Sequence, residues 1–401
     1  MTTTIDNEHK TFNVPNLRFP EFEGEWQEKR LSDIADLSKG IGISKDQLSA
    51  DGEPCILYGE LYTKYKSETI KEVISKTNID NTKLVKSKAN DVIIPCSGET
   101  AEEIATARCV LKDDVLLGGD LNIIRLHGYD GSFMSYQLNG KRKYDIAKVA
   151  QGVSVVHLYG EHLKNIKTIN PGLNEQKKIT NLLSLLDERI STQNKIIDKL
   201  QSLIKGICNN YFLKLSHSQE MKSIRDILKE RNEYCCKDGT FVHGTLSKDG
   251  LFPKTERWNR DFLVKEENKK YKITHLDDIC YNPANLKFGV ICRNIYGDLI
   301  FSPIYVTFEV SKKVNIGFIE LYLTNRNFIE KIRKFEQGTV YERMSVSPED
   351  FLSYKIRIPS LSEQTFFYQK IQRLKNCSQN ELEHLNLYKK LRHYLLRQMF
   401  I

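Results

Sequence analysis

One stretch of this chain is written twice. Pro171-Gly-Leu-Asn-Glu-Gln176 returns as Pro359-Ser-Leu-Ser-Glu-Gln364, an offset of 188 residues. The offset then holds without a gap for 42 residues, from Pro171 to Phe212 and from Pro359 to Phe400. A fixed-period repeat constrains the fold before any local signal is weighed. In the first copy, steps alternating four and three select Ile179, Leu183, Leu186, Ile190, Gln193, Ile197, Leu200, Ile204, Ile207 and Tyr211. Nine of those ten are apolar, which is the seam of a coiled coil. The matching positions in the second copy are Phe367, Ile371, Leu374, Ser378, Glu381, Leu385, Tyr388, Arg392, Leu395 and Met399. Seven are apolar, a weaker seam in the same register, interrupted by Ser378, Glu381 and Arg392. Gln193 and Glu381 occupy the same step, where a polar residue commonly fixes register and partner. Forty helical residues reach roughly 60 Å. Two rods of equal length in one chain are expected to pair antiparallel; the plainer alternative is two ordinary long helices packed on globular cores.

The remaining sequence divides around these rods. Expected boundaries are a flexible tail over residues 1–13, a globular segment over 14–170, and a rod over 171–215. A second globular segment covers 216–358 and a second rod 359–401. The globular segments also echo each other. Leu31-Ser-Asp-Ile-Ala-Asp36 resembles Ile224-Arg-Asp-Ile-Leu-Lys229, and Gln151-Gly152 precedes the first rod much as Gln337-Gly338 precedes the second. Short β-branched runs such as Asp91–Ile94, Leu121–Arg125 and Ile304–Phe308 predict strands. Phe318–Phe335 predicts helix. The fold class is therefore α+β: two α/β domains separated by two long helices that form an antiparallel coiled coil, with an internal pseudo-two-fold repeat.

Of the 401 residues, 40% are hydrophobic and 28% charged, a globular balance without any apolar run long enough to span a bilayer. The polar start, Met1 to Asn13, predicts no secretory signal and a cytoplasmic chain without membrane contact. Sixty Lys and Arg against 52 Asp and Glu leave +8, an excess compatible with nucleic acid. The nine cysteines show no paired metal-ligand spacing and read as reduced, mostly buried thiols, so no metal is expected.

A search for catalytic chemistry returns little. No Walker A loop is present. Lys39-Gly40-Ile41-Gly42 lacks the third glycine of a dinucleotide site and reads as a turn requiring positive φ. Tyr281-Asn282-Pro283-Ala284 reads as a strand-end turn, and His157 as a half-buried histidine. No catalytic residue and no cofactor of this chain's own are expected.

Polar and basic clusters remain. Lys141, Arg142 and Lys143 stand beside Tyr144, with Lys148 and Gln151 following at helical spacing. In the second half Asn325, Arg326 and Lys334 lead to Gln337, with Arg343 just beyond. Lysine and arginine hold phosphates, while Arg, Asn and Gln can read base edges in the major groove. Ser97 and Thr100 are expected on an exposed loop tip, with Asn285 and Lys287 as their counterparts. A solvated helix face is the plainer reading of either cluster alone; recurrence ahead of the same Gln-Gly favours binding.

The order of globular domain, Pro-x-Leu-x-Glu-Gln turn and long helix, given twice, resembles the specificity (S) subunit of type I restriction-modification enzymes. Val14-Pro-Asn-Leu-Arg-Phe-Pro-Glu-Phe22 with Trp26 is similar to the opening of Gram-positive members, although the second half has no counterpart of Trp26. The resemblance implies two target-recognition domains, each reading one half of a bipartite site on double-stranded DNA. It implies helices that set the spacer and dock two modification (methyltransferase) subunits. S-adenosylmethionine would then belong to those subunits, and ATP and magnesium to restriction (translocase and nuclease) subunits. A different class, a coiled-coil scaffold that binds proteins without DNA specificity, shares the same helical pattern.

Overall fold

The computed structural model describes residues 13–152, 155–215, 220–236, 240–254, 270–337 and 344–401. The chain divides into two compact units, one gathering residues 1–194 and 383–401, the other residues 195–382. The central helix (Leu173–Leu213) and the C-terminal helix (Leu361–Gln398) each begin in one unit and end in the other.

In the first unit, one sheet has the order Ala35–Lys39, Leu121–Leu126, Asp91–Pro95, Arg108–Val110, Thr69–Ile70. Its central strand, Asp91–Pro95, is buried along its whole length. Side chains alternate across a strand, so Val92 and Ile94 enter one apolar cluster while Ile93 enters another on the opposite face. A second sheet places Glu53–Ile56 parallel to Leu116–Leu117, with Val85–Lys86 antiparallel on the far side.

The second unit repeats this plan. Leu228–Glu230, Val306–Val310, Ile279–Tyr281 and Ile291–Arg293 form its first sheet in the same order. In its other sheet Val242–Ser247 runs parallel to Leu299–Phe301, with Tyr271–Thr274 antiparallel beyond. Tyr281 and Cys280 again face opposite clusters. Each unit is closed by the same clasp: Gln27–Arg30 pairs with Lys167–Asn170, and Glu220–Ser223 with Lys355–Ile358. Beyond the clasp, Asp33 and Asp226 each accept the backbone N–H three residues back, at 3.1 and 3.0 Å. The matched Asp-Ile sequences therefore do the same work in both halves.

Two expected elements shift. The strand predicted from Ile304 begins at Val306, because Pro303 and Ile304 form a turn. The helix predicted over Phe318–Phe335 is broken, since the Asn325 side chain accepts from Asn327 N–H and starts a new helix, Arg326–Ile332.

Along both rods, every position of the four-three series is buried or half-buried, including Leu200, Leu374, Ser378 and Glu381. In the first unit, Ile179, Leu183 and Leu186 from the start of the central helix share a cluster with Leu395 and Met399 from the end of the C-terminal helix. In the second, Ile204, Ile207 and Tyr211 pack with Phe367 and Ile371. Start meets end in each unit, so the helices pair antiparallel. Tyr211 and Phe367 stack at 3.8 Å. Each fully buried leucine or isoleucine contributes roughly 2 kcal/mol through apolar burial.

The repeated turn fixes each domain to its rod. Gln176 donates to Pro171 O at 2.7 Å and accepts from Asp130 N–H at 2.9 Å. Gln364 donates to Pro359 O at 2.8 Å and accepts from Asn315 N–H at 2.9 Å. Asp130 and Asn315 are themselves the N-caps of Gly131–Asn139 and Ile316–Leu323. One amide thus joins the rod's first turn to a domain helix, identically in both halves. The preceding glutamates diverge. Glu175 accepts from Arg18 Nε and Nη2, each at 2.8 Å, and from Trp26 Nε1 at 3.3 Å, whereas Glu363 turns back to Ser360. In the second half Glu363 instead accepts from Ser360 N–H at 3.0 Å, at the start of its own helix.

Arg392, a break in the sequence seam, is a junction in the structure. Its guanidinium is salt-bridged to Asp187 of the central helix and to Glu68 of the first domain. Tyr136 donates to the same Asp187 at 2.6 Å. Burial disfavours the Arg392 charge, but the two carboxylates outweigh it and hold its pKa above the ordinary value.

Candidate nucleic-acid interface

Three segments of the first unit converge. Ser97–Gly98 pairs antiparallel with Val156–His157. Thr100 caps the helix Ala101–Ile104, its side chain accepting from Glu103 N–H at 3.2 Å. Ile104, Ile146 of the helix Lys143–Val149 and Leu163 of the helix Gly160–Lys164 bury into one cluster, which sets these short helices side by side. The expected free loop tip at Ser97–Thr100 is therefore a paired strand and a helix cap, because the His157 strand supplies the partner. Gln151 does not continue the Lys143–Val149 helix, which stops at Ala150. It forms an isolated antiparallel bridge with His157, exchanging bonds of 2.9 and 2.7 Å.

The second unit builds the same arrangement. The segment Pro283–Phe288, carrying Asn285 and Lys287, follows Ile279–Tyr281, the strand equivalent to the one that precedes Ser97. The strand-end turn expected at Asn282 is this segment, with the Asn282 side chain accepting from Ala284 N–H. Leu286, Phe328, Ile329 and Val346 share a cluster, which brings Pro283–Phe288 against Arg326–Ile332. Gln337 closes a loop by an isolated bridge to Ser345, the counterpart of Gln151 and His157. Arg343 lies outside the described residues.

The candidates are not equally available. Among the described residues, Lys141, Lys143, Lys148, Lys287 and Lys334 form no ion pair, and Lys148 lies 4.4 Å over the Tyr144 ring. Arg142 is held by Asp145 and by Ile401 O at 3.0 Å. Arg326 is paired with Glu330 at 2.6 Å. Asn325 is buried as a cap and donates to Asn209 at 2.7 Å. Gln337 donates to Asp350 at 3.0 Å. The lysines are thus free for phosphates, while Arg142 and Asn325 are committed to the fold.

Residue spacing alone does not mark the aromatic rings here. Tyr144, Tyr159 and Phe288 are 68%, 53% and 66% exposed. His157 is exposed as well, not half-buried as expected, because strand alternation turns Val156 inward. His157 Nδ1 lies 3.3 Å from Ser97 Oγ, and both line a groove of about 350 Å³ with Lys39, Tyr159 and Lys164. Cations, hydrogen-bonding side chains and exposed rings on one surface can engage phosphates, base edges and base faces. Neither Gly40 nor Gly42 has the positive φ expected of a turn there. Gly40 is required by close approach, since a Cβ there would meet Gly118 O. Among the described residues, no group of three or more His, Cys, Asp or Glu is placed to hold a metal, and no helix is long and apolar enough to cross a membrane.

Comparison with known proteins agrees with the duplicated plan. Residues 23–202 match the family model described as type I restriction modification DNA specificity domain. The type I restriction enzyme MjaVIII specificity subunit of Methanocaldococcus jannaschii is 23% identical over 388 residues, covering 90% of this chain and 88% of that protein. The crystal structure of the type I restriction-modification S subunit from M. genitalium superposes over 97% of this chain and 99% of its own, with TM-score 0.60 and 17% identity. A chain from a structural study of type I R-M complex assembly and conformational transition gives TM-score 0.54 at 12% identity, over 94% of this chain and 97% of its own. The duplicated domains, the paired rods and the matched specificity domain agree on one likeness: residues 23–202 match the type I restriction modification DNA specificity domain, and over most of its length the chain is similar to a specificity subunit of a type I restriction enzyme.

Proposed function

We propose that this chain gives a type I restriction-modification complex its DNA sequence specificity, each domain reading one half of a bipartite duplex site. The carrying observation is that two units of one topology present equivalent surfaces: Lys148 and Gln151 match Lys334 and Gln337, while Ser97 and the bridge partner His157 in one give way to Asn285, Lys287 and the bridge partner Ser345 in the other. Equivalent placement suits one task performed twice, and different chemistry suits two different half-sites. The chain itself is non-catalytic in this reading. Modification subunits bring S-adenosylmethionine for adenine methylation, and restriction subunits bring ATP and magnesium.

The rods carry two duties in this proposal, setting the gap between half-sites and docking the modification subunits. Outside its seam the central helix exposes Leu182, Leu185, Ile196 and Leu203, the last three lying 3, 14 and 21 residues after the first, so that Leu182, Ile196 and Leu203 share one heptad position. The C-terminal helix exposes Leu387, Leu391 and Tyr394. Outward apolar lines on paired helices suit further helices laid alongside.

The test is to map methylated adenines in a host carrying the modification subunits, with and without this chain. A bipartite motif that appears only with the chain supports the proposal; methylation indifferent to the chain refutes it. Four residues inserted after Asn194 should then lengthen the spacer by about one or two base pairs and leave both half-sites unchanged.

A further inference from the structure

The two domains are anchored to the rods by different chemistry. In the second unit the anchor is apolar: Ile204, Ile207, Tyr211, Phe212, Phe367 and Ile371 join the domain's own core. The first unit has an apolar anchor too, where Trp26 and Phe133 meet Leu395 and Phe400. It adds a charged junction with no equivalent, for under the repeat offset Arg392 corresponds to Ile204 and Asp187 to Lys375.

Arg392 contacts one group from each of two other elements. Asp187 belongs to the central helix and Glu68 to the first domain, and Tyr136 from a domain helix completes the Asp187 shell. Arg108, half-buried nearby, is occupied by Tyr65 O and Ala107 O. Apolar contacts alone permit small rotations at little cost, because they are non-directional. A guanidinium shared between two carboxylates has fixed geometry and leaves costly unpaired charge when any member moves.

We infer that Arg392 is a positioning residue, locking the orientation of the first recognition domain on the rods and thereby restricting the spacer lengths that the complex accepts. This rests on the reading that each domain engages one half-site. A spacer one base pair longer or shorter displaces a half-site by about 3.4 Å and rotates it by about 34°. A domain free to rock can follow part of that change; a locked domain cannot.

The experiment uses the full chain with its modification subunits and reads methylation at sites whose spacers are cognate, one base pair longer and one shorter. Arg392→Met removes the lock. The triple variant Glu68→Gln, Asp187→Asn, Arg392→Met removes it without stranding charge, so folding is retained. In both, methylation at off-length spacers should rise about tenfold, equivalent to 1.4 kcal/mol, relative to the cognate site, with half-site sequences unchanged. Arg392→Lys, which holds one carboxylate but not both, should fall between. Wild-type stringency in the folded triple variant overturns the inference, and so does a uniform fall at every spacing. Absence of any bipartite motif with the wild-type chain would instead refute the underlying reading of function.

Discussion

Gln176→Leu tests the clamp that joins each domain to its rod, and the structure sets its magnitude. Gln176 is 1% exposed, and its amide satisfies Pro171 O and Asp130 N–H at 2.7 and 2.9 Å. Leucine fills similar volume and leaves one acceptor and one donor without partners. Each such group costs about 1–3 kcal/mol, so the substitution should destabilise the junction by roughly 2–6 kcal/mol. Gln364→Leu strands Pro359 O and Asn315 N–H and should cost the same within error. The assay is hydrogen exchange at the two amides. Protection of Asp130 should fall by at least about 30-fold in Gln176→Leu while Asn315 is unaffected, and Gln364→Leu should give the mirror result. If either amide keeps protection within about threefold of wild type, the clamp does not order the junction.

Other perturbations address separate parts of the structure. Leu200→Asp places an unpaired charge in the half-buried seam of the second unit and should cost about 2 kcal/mol, with loss of the complex with modification subunits; unchanged melting and assembly would exclude the seam role. His275 faces Asp298 at 2.8 Å and Glu233 at 3.1 Å, with Arg231 also near, and although burial opposes its charge the two carboxylates raise its pKa. A raised histidine stabilises fully below its unfolded pKa and loses that contribution as pH rises through the folded value. Wild-type melting should therefore fall more than that of His275→Gln on going from mildly acidic to mildly alkaline pH, and parallel curves would refute the pairing. Burial pushes the Cys55 and Cys96 thiols up to about 11 and Cys280 up to about 12, so a thiol reagent should label Cys236 and Cys377 in the native chain and these three only after unfolding.

The rods were legible in the sequence because helix periodicity is local: a gapless repeat and a four-three seam need no knowledge of the rest of the chain. The paired strands Gln27–Arg30 and Lys167–Asn170 were not, since their register depends on partners about 140 residues apart. Gln176 and Gln364 were visible as repeat markers, but their role lies in the backbone N–H groups of Asp130 and Asn315, which no sequence pattern marks. Arg392 looked like a flaw in the seam because Glu68 and Asp187 approach it only through tertiary folding. At the candidate interface, spacing found the basic clusters and could not tell Lys148, which is free, from Arg142, which is held by Ile401 O. Exposure of Tyr159 and Phe288 follows from strand and loop geometry, and composition carries no trace of it.

The division of labour between the domains is the central claim, and exchanging one domain tests it directly. Residues 14–170 are replaced by the equivalent domain of a relative with a different target, the rods and second domain being kept, and methylated adenines are mapped in the host. One half of the bipartite motif should change to the relative's half-site, while the other half and the spacer stay as they were. A change in both halves, or in neither, would contradict the account.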